Sequence, residues 1–205
     1  MIVKKLEVGP VAANCYIVGC EKTKEAVVID PGDETQRILL LLADLKLRVK
    51  YILNTHGHFD HAGGNKRLKD ATGAEILIHE DDAIMLEHLS MTSAAFGLRV
   101  ENSPPADRVL KDGDEISFGE FKVKVIHIPG HSPGGVAFAI GNRLFVGDAL
   151  FSGSIGRTDL PGGDFNTLIS SIQTRLFIFE DDTVVYPGHG PQTTIGNEKR
   201  YNPFF

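Results

Sequence analysis

The sequence is poor in cysteine, with only Cys15 and Cys20 among its 205 residues. The two lie five positions apart and could close at most one local bridge. Such a bridge adds little to a chain long enough to bury a large core. We therefore expect both residues to be reduced thiols. No CxxC pair occurs, which excludes a structural zinc ribbon.

The chain also lacks a long apolar run. The longest, Ile38–Ala43, is far shorter than the roughly 20 residues that a membrane-spanning helix needs. The N-terminal stretch Met1–Gly19 contains neither a continuous apolar segment nor an A-x-A cleavage site, so it does not have the pattern of a signal peptide. We therefore expect a soluble, cytoplasmic protein that has no membrane partner.

An excess of positive charge is missing as well. Lysine and arginine together number 21 against 27 aspartates and glutamates, which gives a formal net charge of -6. Proteins that bind nucleic acid favour a basic face. The composition therefore predicts no nucleic-acid partner and is compatible with a small-molecule substrate.

Segments rich in valine and isoleucine alternate with helical patterns along the chain. The early part is mostly β, the middle αβ, the next part mostly β again, and the last part αβ, ending in a predicted helix Asp164–Phe179 and strand Thr183–Tyr186. This order predicts a layered α/β sandwich formed by one domain, residues 1–205. Ser90–Asp107 is interpreted as a long lid-like or substrate-facing connection, and the tail Gly188–Phe205 is predicted to be loop-like.

Five of the eight histidines come directly after predicted strands, in loops rich in glycine and proline. Three follow the strand Tyr51–Asn54, and the others follow Phe121–Ile128 and Thr183–Tyr186. A strand end that opens into a short loop lets a rigid sheet present side chains towards a common point. The residues concerned are His56, His58, His61, His131 and His189, and Asp148 ends a further strand in the same way.

Imidazole and carboxylate groups at this spacing are typical metal ligands. In a tightly turned segment residues i and i+2 project to the same side, so His56 and His58 can bind one ion together with His131. Two ions about 3.5–4 Å apart can share a water molecule and lower its pKa. The predicted second ion would be held by Asp60, His61 and His189, with Asp148 bridging the two ions.

The remaining histidines have simpler interpretations. His79, His88 and His127 are predicted to be surface or helix-capping residues and not metal ligands. Asp30 ends a strand before a Pro-Gly turn, so turn chemistry could explain it. A hydrogen bond to a metal-ligating imidazole is the alternative.

With these motifs in view, the chain resembles the metallo-β-lactamase superfamily of hydrolases over essentially its full length. The matching segments are VIDPGD, THGHFDH, PGHSPGG, VGDALF and YPGHGP. The resemblance implies a four-layer αββα sandwich with the site at one edge of the two sheets. It also implies two divalent metal ions, with zinc preferred and iron or manganese as alternatives, bound by the seven residues named above.

Within the superfamily the chain is most similar to glyoxalase II, in its short bacterial form. The segment Gly153–Asp159 and the tail from Thr193 to Phe204 carry this finer match. It implies a thioesterase that cleaves small hydroxyacyl thioesters such as S-lactoylglutathione with a metal-bridging hydroxide. Asp60 and Asp148 would then be catalytic as well as metal-binding.

Three other functions are compatible with the same motif. A persulfide dioxygenase with a single iron is the first alternative, because the stretch Gly156–Asp159 is similar to that group too. A β-lactamase and a non-catalytic metal-binding module are less favoured, the latter because the ligand set is intact.

Arg157 is the predicted substrate-binding residue, because a guanidinium can hold a carboxylate through two hydrogen bonds. An internal salt bridge to Asp159 or Asp164 is the alternative. Lys199 and Arg200 could also reach an anionic carrier, although charged terminal residues are commonly just solvated.

Overall fold

A computed structural model describes all residues from 1 to 205. Its helices are α1 (Thr35–Asp44), α2 (Phe59–Ala62), α3 (Asn65–Thr72), α4 (Leu89–Ala94), α5 (Phe165–Ser171) and α6 (Ile195–Tyr201). Its strands are β1 (Ile2–Val8), β2 (Ala13–Gly19), β3 (Glu25–Ile29), β4 (Arg48–Leu53), β5 (Glu75–His79), β6 (Arg108–Leu110), β7 (Glu115–Phe118), β8 (Phe121–His127), β9 (Val136–Ala139), β10 (Arg143–Gly147), β11 (Leu150–Phe151), β12 (Ser154–Ile155), β13 (Val184–Pro187) and β14 (Thr193–Thr194). None of the helices has the length and hydropathy needed to cross a membrane.

The first sheet contains β1 to β6 in chain order. Strands β1 to β3 run antiparallel, and β3 to β6 run parallel because a helix or a long connection links each pair. Every residue of β2 is buried, since this strand lies inside the sheet and is covered on both faces. A strand covered on both faces has a nearly continuous apolar sequence, and ANCYIVG has that character except at Asn14.

The second sheet has the order β14-β13-β10-β9-β8-β7. Its strands are antiparallel except for the neighbouring pair β10 and β13. That parallel pair is connected through the helical segment from Phe165 to Leu176. The pair brings Gly147 opposite Pro187, so the loops that follow the two strands begin side by side.

Three apolar cores hold the layers together. The central core lies between the sheets and includes Ile29, Leu53, Phe138 and Phe145. One outer core packs α1, α2 and α3 on the first sheet, and the other packs α5 on the second. Helices therefore cover the outer face of each sheet, and the predicted αββα sandwich is confirmed.

One local prediction about secondary structure was wrong. The tail is not a loop, because it contains β14 and α6. Its helix has little apolar periodicity, and its first turn is capped by the Thr194 hydroxyl, which accepts a hydrogen bond from the amide of Asn197 at 3.2 Å. The connection Ser90–Asp107 is partly helical, since α4 covers its first residues and follows a 3-10 helix at Glu80–His88.

A buried glutamate stabilises the tail. Glu198 of α6 is fully buried, and its carboxylate accepts four hydrogen bonds, from Thr193, Asn197, Asn202 and the amide of Gly153. Burial by itself would raise the pKa of this carboxyl group, but the four donors outweigh it and lower the pKa below its usual value. A polar network, and not an apolar stripe, therefore attaches α6 to the β11–β12 hairpin.

Replacing Glu198 by glutamine should lower the free energy of unfolding at pH 7 by about 1–3 kcal/mol. The amide nitrogen of glutamine cannot accept hydrogen bonds, so some of the surrounding donors would lose their acceptor. The folded-state pKa is depressed, so the stabilisation is present above the unfolded-state pKa of about 4.3 and is lost as the pH falls. Denaturant unfolding of both proteins at several pH values measures this. The exposed Glu180→Gln variant is the control, and a difference from wild type that did not shrink at low pH would contradict the assignment.

Candidate metal centre

The structure brings all seven predicted donor residues together at one edge of the two sheets. His56, His61 and His131 are buried, and the other four are half-buried. They come from the four segments that follow β4, β8, β10 and β13, and two of them, Asp60 and His61, lie in the short helix α2. The C-terminal ends of the parallel strands β3 and β4, and of β10 and β13, meet at this edge, which is why residues far apart in sequence converge.

The first group consists of His56, His58 and His131, whose donor atoms lie within 4.8 Å of one another. His131 Nδ1 donates to the carbonyl of Arg157 at 2.7 Å, so its other nitrogen, Nε2, is the one that faces the group, 3.0 Å from Nδ1 of His58. Thr55 Oγ1 lies 3.0 Å from His56 Nδ1, so Nε2 of His56 is also free. The three available nitrogens are Nε2 of His56, Nδ1 of His58 and Nε2 of His131.

The second group consists of Asp60, His61 and His189, whose donor atoms also lie within 4.8 Å of one another. His189 Nε2 lies 3.3 Å from Asp60 Oδ2 and 3.3 Å from Nε2 of His61. Nδ1 of His61 is occupied by a hydrogen bond to Asp30 at 3.0 Å. Its Nε2 is therefore the atom that faces the other two donors.

Asp148 lies between the two groups. Its Oδ1 is 3.4 Å from His61 Nε2 in the second group. Its Oδ2 is 3.7 Å from His131 Nε2 in the first group and 3.5 Å from His189 Nε2 in the second. This carboxylate is therefore positioned to contact a cation in either group, which is the geometry that a bridging ligand needs.

The donor atoms fit divalent cations. Zinc binds imidazole nitrogen at about 2.0–2.1 Å, so two ligands on a tetrahedral ion stand about 3.3 Å apart. The distance of 3.0 Å between His58 Nδ1 and His131 Nε2 in the first group, and the two distances of 3.3 Å from His189 Nε2 in the second, are close to that value. His56 Nε2 and Asp148 Oδ1 are buried and have no hydrogen-bond partner. Buried polar atoms without a partner are rare in proteins, and here both face the centre of the cluster.

Electrostatics distinguishes the two groups. Burial and the neighbouring imidazoles lower the pKa of His56 well below its usual value and that of His58 to about 4. Burial would also lower the pKa of His61, but Asp148 and Asp60 outweigh it and raise that pKa. Reciprocally, His61 keeps the pKa of Asp148 low although burial alone would raise it. His56 and His58 of the first group are therefore neutral imidazoles near pH 7, whereas the second group combines imidazole with carboxylate.

Asp30 connects a histidine of each group, because it bonds to His61 directly and to His56 through the hydroxyl of Thr55. It is buried, and Oδ2 accepts hydrogen bonds from His61 Nδ1 at 3.0 Å and from the Thr55 hydroxyl at 2.6 Å. Because that hydroxyl donates to Asp30, it must accept the proton of His56 Nδ1. Asp30 has φ of 52°, a strained conformation that persists where the surroundings require it. Of the two interpretations of Asp30, the structure shows the hydrogen bond to an imidazole of the site, and bonds of this kind orient metal-binding histidines.

A second buried carboxylate, Asp82, was not found from the sequence. Its Oδ2 accepts hydrogen bonds from the Gly57 amide at 2.9 Å and the Ser132 hydroxyl at 2.7 Å, and its Oδ1 accepts the Gly134 amide at 2.6 Å. Gly57 lies between His56 and His58, and Ser132 follows His131. Asp82 therefore clamps the two loops that form the first group to each other. The only signal in the sequence is an aspartate in the polar run HEDD, which is also typical of an exposed helix start.

The loop that carries His189 is held by two residues of β2 that were also missed. The Asn14 side chain donates to the carbonyls of Pro187 and Gly190, each at 2.9 Å, and the hydroxyl of Tyr16 donates to Pro187 at 2.6 Å. These bonds cross from the first sheet to the second. An asparagine inside an otherwise apolar strand was the available signal.

Two glycines make room for Asp148. A Cβ atom on Gly188 would collide with Asp148 Oδ1, and one on Gly156 would collide with the Asp148 carbonyl oxygen. Both contacts are too short for any side chain, because a Cβ has no rotamer with which to avoid them. The glycines of the PGHGP and SIGRTD segments therefore allow the close backbone approach on which the cluster depends.

Replacing Asp82 by asparagine should weaken metal binding as well as folding. The amide nitrogen would face N–H and O–H donors, and a buried donor without a partner costs about 1–3 kcal/mol. We expect that loss in the free energy of unfolding and roughly a tenfold lower affinity for the first ion, comparable with other residues that support metal ligands. Chemical denaturation and competition with a metal-sensitive dye measure the two effects. Asp81→Asn is the matched control, and an unchanged affinity in Asp82→Asn would disprove the clamp.

The other charged residues singled out from the sequence are already paired. The guanidinium of Arg157 makes two hydrogen bonds to Asp159, at 2.7 and 2.8 Å, which is the ion pair weighed as the alternative. Its substrate-binding role stays a prediction. Lys199 and Arg200 both pair with Asp181. None of these three cations is free to approach a ligand without giving up its partner.

The remaining histidine cluster has a different geometry. Ligand atoms of His79, Asp81 and His127 also lie within 4.8 Å of one another, but the rings of His79 and His127 stack nearly parallel with centroids 4.2 Å apart, and each ring has a nitrogen engaged in a hydrogen bond. His79 Nδ1 accepts the Asp81 amide at 3.3 Å, and His127 Nε2 donates to the Pro133 carbonyl at 2.9 Å. His79 is a helix-capping residue, as predicted, although it is buried and not on the surface.

Known proteins share this fold. Residues 8–189 match the family model of the metallo-beta-lactamase superfamily. The chain belongs to this superfamily. The resemblance predicted from the sequence motifs is therefore confirmed, and with it the fold. Superfamily membership, together with the His/Asp groups, supports a metal-binding hydrolase.

Individual relatives in the superfamily cover almost the whole chain. The chain is 41% identical to the hydroxyacylglutathione hydrolase GloC of Haemophilus influenzae, over 97% of this chain and 97% of that protein. Two solved structures are similar as well. A B3 metallo-beta-lactamase, BLEG-1, has a TM-score of 0.93 and 37% identity over 99% of each chain. The protein TTHA1623 in a di-iron-bound form has a TM-score of 0.90 and 40% identity, covering 98% of this chain and 100% of that one.

Proposed function

We propose that the chain is a metal-dependent thioesterase of the glyoxalase II type, which cleaves small hydroxyacyl thioesters such as S-lactoylglutathione. The observation that carries the proposal is the pair of three-donor groups that share the carboxylate of Asp148. In this proposal one ion is bound by His56, His58 and His131, and the other by Asp60, His61 and His189. The identity shared with GloC supports the choice of substrate.

Two divalent ions bound in this way would supply a hydroxide nucleophile at neutral pH and polarise the thioester carbonyl. The contribution of the chain is to hold the donors in place. Asp30 keeps the proton of His61 at Nδ1, and the Arg157 carbonyl keeps that of His131 at Nδ1, so the opposite nitrogen of each ring faces the centre. Asp82 fixes the spacing of the loops that carry His58 and His131.

A thioester suits a site of this kind because it needs no strong general acid. The leaving thiol has a pKa near 8.5, so it departs as a thiolate without prior protonation. Asp30 and Asp82 accept several hydrogen bonds each, and the other two carboxylates, Asp60 and Asp148, face histidines. The neighbourhood therefore contains no carboxyl group placed to donate a proton to a more basic leaving group.

The completeness of the second group favours a two-ion hydrolase over the one-iron persulfide dioxygenase. An enzyme with a single iron needs only one set of ligands, whereas Asp60, His61 and His189 form a second set at matching distances. The similarity to a B3 metallo-beta-lactamase makes β-lactam hydrolysis the other activity to be tested.

A single preparation distinguishes these activities. Its metal content is measured by mass spectrometry, and its turnover is measured with S-lactoylglutathione, a penicillin and glutathione persulfide, the last with oxygen uptake. We expect about two ions per chain and hydrolysis of the thioester only. One iron per chain with stoichiometric oxygen consumption, or fast penicillin turnover without thioester cleavage, would overturn the proposal.

A further inference from the structure

A groove opens beside Asp60, at the edge of the second donor group. Its volume is about 210 Å³. The turn between β1 and β2 forms one wall, and the segment that follows α4 forms the other. We call it the Asp60 groove; besides Asp60, the residues that matter are Val8, Val11, Phe59, Leu98, Arg99 and Val100.

The walls of the Asp60 groove are largely apolar and are partly open to solvent. Val11 is 41% exposed, and Leu98 and Val100 are half-buried. Binding pockets for whole drug-sized ligands have volumes of about 300–1,000 Å³, so this groove is large enough for one part of a substrate. It includes Asp60, a proposed metal ligand, so a molecule that fills it would extend directly to the reacting centre.

Arg99 is the only cation that lines the Asp60 groove, and it is exposed and makes neither a hydrogen bond nor an ion pair. Several other arginines at the surface are paired, among them Arg37 with Glu34, Arg67 with Glu101, and Arg157 with Asp159. The two other charged groups of the groove are the carboxylates Asp33 and Asp60. A free guanidinium next to apolar walls suits a ligand that has both methylene groups and a carboxylate.

We propose that the Asp60 groove binds the thiol carrier of the substrate and that Arg99 pairs with a carboxylate of that carrier. This inference rests on the proposed thioesterase activity and specifies the substrate as a thioester of an anionic, peptide-like thiol. The apolar walls cover the methylene groups of the carrier, and the acyl group lies over the two donor groups. Arg99 thereby determines specificity for the carrier without taking part in the bond cleavage.

The test compares two thioesters with the same acyl group. One is S-lactoylglutathione, whose carrier has free carboxylates, and the other is the S-lactoyl thioester of N-acetylcysteamine, whose carrier is uncharged. Kinetics are measured for wild type, Arg99→Gln and Arg99→Lys. Arg108→Gln is the matched control, because Arg108 of β6 is likewise exposed and unpaired but does not line the groove.

We expect Arg99→Gln to raise KM for S-lactoylglutathione about tenfold with kcat within twofold of wild type, a loss of uniform binding. The KM of Arg99→Lys for S-lactoylglutathione should lie between those of wild type and Arg99→Gln, since lysine keeps the charge but lacks the planar set of donors of a guanidinium. The neutral thioester should be cleaved equally by all variants, and Arg108→Gln should match wild type. Equal effects of Arg99→Gln on both thioesters, or no effect on either, would overturn the inference.

A binding measurement separates this inference from the proposed function. S-methylglutathione is not hydrolysable, and calorimetry should show that its Kd rises about tenfold in Arg99→Gln and stays unchanged in Arg108→Gln. If wild type cleaved neither thioester but this difference in Kd were found, the proposed thioesterase activity would be wrong, whereas the assignment of the Asp60 groove as a carrier-binding site would be supported. If wild type cleaved S-lactoylglutathione and the two variants bound the thioether equally well, only the carrier-binding role of the Asp60 groove would be wrong.

Discussion

Asp148→Asn is expected to reduce thioester hydrolysis on the order of a thousandfold, the scale seen when a charge-stabilising group of an active site is removed. The two carboxylate oxygens serve different groups, since Oδ1 faces His61 and Oδ2 faces both His131 and His189. An asparagine retains only one oxygen that can bind a cation, and its NH₂ would face nitrogens that must stay free. We therefore also expect bound metal to fall from about two ions per chain to about one.

The measurement combines metal analysis with turnover of S-lactoylglutathione on one preparation. Asp44→Asn is the matched control, because Asp44 is an exposed aspartate at the end of α1 with no ion pair. Circular dichroism and the unfolding midpoint of Asp148→Asn check that the fold is kept. An Asp148→Asn protein that held two ions and kept most of its activity would exclude the bridging role.

The seven candidate donor residues could be identified from the sequence because the signals for them are local. Each lies within eight residues of a strand end, and the THGHFDH segment places four of them within six positions. Their convergence followed from the rule that parallel strands present their C-terminal loops at one edge, and the structure places β3 beside β4 and β10 beside β13 in that way.

The residues that support the candidate donors could not be predicted from the sequence, because their hydrogen-bond partners are distant along the chain. Asp82 is 50 residues from Ser132, and Asn14 is 173 residues from Pro187. No local pattern encodes those bonds, which exist only after the two sheets have packed. The tail helix α6 escaped prediction for a related reason, since the polar network of Glu198 stabilises it. Arg99 also looked ordinary in the sequence, because only the structure shows that it has no acidic partner.

Removing the metal should abolish hydrolysis and lower the melting temperature. A ligand present at a hundred times its Kd stabilises the folded state by about 2.7 kcal/mol, and each kcal/mol shifts Tm by about 2–4 °C in a chain of this size. A loss of about 5–10 °C is therefore expected when the first ion is taken away. Dialysis against a chelator, followed by calorimetry and a thioester assay, measures both effects.

Adding back zinc, iron or manganese separately then shows which ion restores activity and which restores only stability. His58→Ala serves as the comparison, because it removes one nitrogen of the first group and leaves Asp60, His61 and His189 in place. Its Tm should respond less to the chelator than that of wild type, since it starts with less bound metal. Stability and activity are coupled here because the same donors serve both: without the ions, His56 Nε2 and Asp148 Oδ1 are buried polar atoms that have no hydrogen-bond partner, and such atoms cost free energy. A chelated protein proven free of metal that still hydrolysed the thioester at the original rate would refute the metal centre as the source of activity.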